Sequence, residues 1–83
     1  MEQDVIKKYV QVVAKFTPEG QLLPMCVLWD DGRKFEIDRV KQCVRAASRK
    51  AGGVGWRYTC MIRGQEAVLY YEDNFKWFVE AKV

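Results

Sequence analysis

An all-β domain, a small antiparallel barrel or sandwich of five to six strands in the SH3-like or OB-like manner, is the fold this sequence predicts. Three observations lead there. Leu28 to Phe35 sets Asp31-Gly32 between alternating residues, Tyr58 to Tyr70 sets Gly64-Gln65 in the same frame, and Ile6 to Phe16 alternates along a β-branched run. Asp-Gly and Gly-X pairs suit two-residue hairpin turns, because they reach positive φ at low steric cost. A period of two suits a strand with one dry face.

The first element, Ile6 to Phe16, places Val10, Val12, Ala14 and Phe16 on one side. Thr17-Pro18-Glu19-Gly20 follows as a turn, Pro presetting one dihedral and Gly permitting a positive φ. A type I′ turn at Asp31-Gly32 pairs Leu28 with Phe35 and Cys26 with Ile37 as a core face, and turns Val27, Trp29, Lys34 and Glu36 to the other. A type II′ turn at Gly64-Gln65 pairs Ile62 with Ala67, Cys60 with Leu69 and Tyr58 with Tyr71 on the core side. The opposite side then sets Arg63 against Glu66, Arg57 against Glu72 and Thr59 against Tyr70, and the two charge pairs support that register. After a turn at Asp73-Asn74, Phe75 to Val79 returns and adds Trp77 with either Val79 or Phe78 to the core.

Asp38 to Gly53 supports two readings. As a helix over 39–51 it has Asp38 as N-cap and Gly52 beyond its end, which makes an α+β domain with that helix packed on an antiparallel sheet. As a strand with a bulge near Asp38-Arg39 it sends Val40, Val44, Ala46 and Ser48 inward, and Arg39, Lys41, Arg45 and Arg49 outward. The strand agrees with the hairpins on either side and is preferred.

With 83 residues the chain reads as a single domain over 1–83, a size that buries only about two-thirds of its unfolded surface and leaves little room for a deep pocket. Apolar residues make up 49% and aromatic ones 13%, enough to offset the entropy of ordering. Met1-Glu2-Gln3-Asp4 lacks the basic and apolar regions of a signal peptide, and no apolar run reaches membrane-spanning length, so a cytoplasmic location without membrane association is expected. The three cysteines form no CxxC pair and histidine is absent, which rules out a Cys/His metal site and leaves buried free thiols as the expected role; no cofactor is expected.

Charge is the main functional clue. Residues 33–63 hold nine basic and two acidic side chains, while the whole chain carries only +3. Arg57 and Arg63 have carboxylate partners in the predicted register, which leaves Arg39, Lys41, Arg45, Arg49 and Lys50 as a candidate polyanion-binding group. Nucleic acid is the leading partner, because phosphate neutralisation supplies affinity and bases stack on exposed rings. The competing explanation is a solvated charged face. Trp29 and Tyr70, turned away from the core in the predicted registers, form a candidate protein-interaction or homodimer face.

Catalysis has little to build on: histidine is absent, Ser48 and Lys50 make no activated pair, and Asp30-Asp31 and Glu72-Asp73 fall at turns, so no enzyme is expected. Ala51-Gly52-Gly53-Val54-Gly55 lacks P-loop and dinucleotide spacing and reads as a wide turn, beside which Lys50 could help hold an anion. The order of Trp29 to Phe35, Ile37 to Val40, Ala46 to Tyr58 and Trp77 to Glu80 resembles a family of short bacterial proteins of uncharacterised function. That resemblance implies no activity and no site residues.

Overall fold

The computed structural model describes residues 5–47, 54–72 and 74–82, which form one antiparallel sheet of seven strands. They are β1 (Val5–Phe16), β2 (Leu22–Leu28), β3 (Lys34–Glu36), β4 (Arg39–Ala47), β5 (Val54–Ile62), β6 (Gln65–Glu72) and β7 (Trp77–Lys82), arranged as β3-β2-β1-β7-β6-β5-β4. The sheet curls into a half-barrel. The all-β expectation holds, and the helix alternative over 39–51 gives way to a strand through residue 47. Among the described residues no helix is long and apolar enough to cross a membrane.

The curl is set where β3 runs almost directly into β4. At the bend the Ile37 amide donates to the Met25 carbonyl (3.0 Å) and the Asp38 amide to the Met61 carbonyl (2.8 Å), tying one short segment to strands from opposite halves of the sheet. Tyr58 adds a second tie by donating its hydroxyl to the Leu22 carbonyl across the interior. Inside lie Val27, Tyr58, Cys60, Leu69 and Trp77, with Val10, Val12, Phe35 and Val79 packed against them. Cys60 and Leu69, the pair on which the predicted core depends, are 1% and 3% exposed. Phe16 is 77% exposed and does not share the dry face predicted for it.

The outer face has a smaller cluster of its own. Phe78 and Tyr70 stack in parallel with ring centres 4.9 Å apart, Tyr9 meets Phe78 edge-on at 5.9 Å, and the Lys7 ammonium lies 4.8 Å from the Phe78 ring centre. Glu72 closes the cluster, accepting from the Tyr9 hydroxyl at 2.7 Å and from Lys7 at 3.0 Å. These two donors, Tyr9 foremost, hold the Glu72 carboxyl below its ordinary range. Trp77 and Val79 therefore supply the core, and Phe78 belongs to the opposite face.

Both hairpin registers differ from prediction, with different consequences. In the first, Val27 pairs with Phe35 and Leu28 with Lys34, a slip of one residue. The Trp29 amide donates to the Arg33 carbonyl (2.8 Å) and the Gly32 amide to the Trp29 carbonyl (3.0 Å), so the loop has three residues, with only Gly32 at positive φ. Asp31 uses its side chain to accept from the Arg33 amide and is not in the left-handed region a type I′ turn demands of it. The slip turns Val27 and Trp29 to the inner face and Cys26 and Leu28 to the other, where Cys26 is nevertheless buried as expected.

In the second hairpin Ile62 pairs with Gln65 and Tyr58 with Leu69, a slip of two that leaves every face as predicted but dissolves both charge pairs. Glu66 instead meets Lys41 at 2.8 Å, and Arg57 lies opposite Tyr70. Surface ion pairs contribute about 0–1 kcal/mol, too little to select a register against aromatic stacking and burial. The turn residues are Arg63 (φ 53) and Gly64 (φ 77), a type I′ pair with a long side chain in a left-handed seat. Arg63→Asn should therefore raise stability by about 0.5–1 kcal/mol, read as a higher midpoint in urea with an unchanged slope.

Candidate functional site

Three loops of this protein have the same backbone hydrogen bonds. In Thr17–Gln21, Trp29–Arg33 and Glu72–Lys76 the first residue's amide donates to the fifth residue's carbonyl, and the fourth residue's amide donates to the first residue's carbonyl. The fourth residue sits in the left-handed region each time: Gly20 and Gly32 at φ 89, and Phe75 at φ 68. Glycine takes that seat without cost, whereas a bulky side chain there is strained by roughly 1–3 kcal/mol. Phe75 does not recover the cost by burial, since it is 84% exposed.

Phe75 helps to line a concavity of about 460 Å³ at the end of the half-barrel that carries the β1–β2 and β6–β7 loops. Phe16 at the end of β1 and Trp56 on β5, 77% and 36% exposed, face the same space, with Tyr58 and Tyr71 deeper. Arg45, paired with Trp56 across β4 and β5, holds its guanidinium 5.0 Å from the Trp56 ring centre. This places a cation beside an exposed aromatic on a rim that bears two further exposed rings.

Of the predicted basic group, the described members Arg39 and Arg45 lie on opposite faces of the sheet. Arg39 lies opposite Met61, the pairing then skips Lys41, and from Gln42 onward the strand's faces are exchanged. The bulge therefore lies at Lys41, not near Asp38-Arg39. Val44 comes to lie opposite Arg57 on the outer side, and Arg45 turns to the inner rim beside Trp56, the reverse of the expectation for both. Lys41 is ion-paired with Glu66. Arg49 and Lys50 lie outside the described residues, as do Ser48 and Ala51 to Gly53.

Nor are Trp29 and Tyr70 brought together. Trp29 is half-buried on the inner side, edge-on to Phe35 at 6.4 Å, whereas Tyr70 is only 7% exposed beneath the outer cluster. The slip of one in the first hairpin turns Trp29 inward, while Tyr70 keeps the outer face predicted for it.

Phe16, Trp56 and Phe75 escaped the sequence reading. Lining up the three five-residue loops exposes Phe75 as the member that replaces glycine, but their common geometry is visible only in the structure. Burial pushes the Cys60 thiol up to about 11, so it is protonated at neutral pH and is no nucleophile. Burial likewise pushes the Tyr58 phenol far above its ordinary value. Among the described residues no group of three His, Cys, Asp or Glu side chains could hold a metal ion.

No family model matches this chain. No curated protein and no solved structure matches it either.

Proposed function

We propose that this protein is a non-enzymatic binding module, a small half-barrel used in the manner of SH3-like or OB-like domains, that takes single-stranded nucleic acid on the rim formed by Phe16, Trp56, Phe75 and Arg45. The observation that carries this reading is Phe75, an exposed ring kept in a strained seat that two sister loops fill with glycine. Strain retained where packing gives no return marks a side chain selected for what it meets. Three exposed rings around one concavity suit splayed bases, which stack on aromatic faces with about 1–3 kcal/mol each, and Arg45 supplies the cation for phosphate or for further stacking.

Anisotropy titration of a fluorescent single-stranded oligonucleotide tests it. Binding should weaken roughly tenfold between 50 and 200 mM salt, as expected for the release of a few counterions. Phe75→Asn should raise the melting temperature while weakening binding about tenfold, because it relieves the strained seat and removes one stacking ring. Absence of binding at low salt, or undiminished binding by Phe75→Asn, overturns the reading. Concentration-dependent sedimentation in place of oligonucleotide binding would assign the exposed rings to self-association.

A further inference from the structure

The opposite end of the half-barrel carries a second concavity, of about 260 Å³, bounded by the β2–β3 loop and the β5–β6 turn. Its wall is apolar, built chiefly from Val27, Trp29, Phe35, Ile62, Ala67 and Val79, and Arg33 lies on its lining. Phe35 is also the meeting point of two cations: the Arg33 and Arg63 guanidinium carbons lie 5.4 Å and 5.0 Å from its ring centre. Arg33 gives its Nε hydrogen to Asp31 at 2.6 Å, and a guanidinium retains four further N–H donors when one is taken. Phe35 lines the cavity, so Arg63 stands beside its wall and Arg33 on its lining, and an anion at the mouth is attracted to both cations.

We propose that this cavity binds a small amphipathic carboxylate, its hydrocarbon body inside against Trp29, Phe35 and Ala67 and its carboxylate held at the mouth by Arg33 and Arg63. The apolar wall supplies burial energy for the body, and the guanidinium fork matches a carboxylate in geometry and charge. At about 30 Å³ for a group the size of water or a methylene, the volume suits a body of roughly eight carbons. The site is independent of the nucleic-acid reading, since it lies at the other end of the sheet and shares no lining residue with the Phe75 rim.

Calorimetric titration of the chain with octanoate, octylammonium and octanol reads this assignment. Octanoate should bind at least tenfold more tightly than octylammonium, with octanol between them. Arg63→Asn removes one guanidinium and is expected to stabilise the turn, so a loss of about tenfold in octanoate affinity with octanol unchanged cannot come from unfolding. Ala67→Leu fills the cavity and should abolish binding of both, while oligonucleotide binding at the far rim persists in both variants. No heat from octanoate at millimolar concentration overturns the site. So does equal affinity for octylammonium, unchanged affinity in Arg63→Asn, or octanoate binding that survives Ala67→Leu.

Discussion

Gly55→Ala is expected to lower the melting temperature by about 15 °C or more, measured by circular dichroism against the parent chain. A β-carbon at Gly55 would meet the Tyr71 carbonyl oxygen at 2.0 Å, its carbon at 3.0 Å and the Glu72 α-carbon at 3.1 Å. All three are backbone atoms of the strand hydrogen-bonded to Gly55's own, so relief requires parting β5 from β6 where Gly55 faces Glu72. Overpacking of this kind costs about 3 kcal/mol or more when no flexible side chain can yield. A domain of this length holds only about 4–12 kcal/mol in all. A melting temperature within about 4 °C of the parent would show that the two strands separate locally at little cost, which the close approach denies.

Phe78→Ala should cost about 3–5 kcal/mol, although Phe78 lies on the face away from the main core. It is 2% exposed, stacked on Tyr70, met by Tyr9 and covered by Lys7, so truncation empties the centre of the outer cluster. Lys7 would also lose the nearer ring beneath its ammonium, keeping Glu72 at 3.0 Å and the more distant Tyr9 ring at 6.0 Å. Tyr9, 49% exposed at the edge of the same cluster, should lose far less on truncation to alanine, and Phe78→Leu should recover more than half of the deficit. Equal losses at Tyr9 and Phe78, read from urea midpoints, would mean that the outer face is a solvated surface and not a second packed layer.

The hairpins show how far pattern reading reaches. Alternation placed Tyr58, Cys60 and Leu69 on one face correctly even though the turn sits one residue earlier than predicted, because a slip of two residues preserves every face. In the first hairpin a slip of one exchanges the faces of Val27 and Trp29 with those of Cys26 and Leu28, although Cys26 stays buried. Asp31-Gly32 is a good turn signal for either loop length, and the choice depended on where Asp31 found a hydrogen-bond partner. Within the candidate basic group one point of the chain changes the geometry of the described members. One bulged residue, Lys41, separates Arg39 from Arg45 across the sheet, and no local pattern marks a bulge inside a run of alternating residues.

Gly55 has a use that its sequence neighbourhood does not reveal. Its neighbourhood suggested a loop needing positive φ, whereas the residue is buried in β5 and needs the absence of a β-carbon. Turn chemistry and alternation were thus enough to establish an all-β chain with Cys60 and Leu69 inside, since both act over a few residues and are written in residue type. Which rings reach solvent, where Arg45 points and what the glycines are for were decided by the curl of the sheet and the bulge at Lys41. Those depend on strands far apart in the chain coming within van der Waals range, a balance of packing against strain that no short stretch of residues contains.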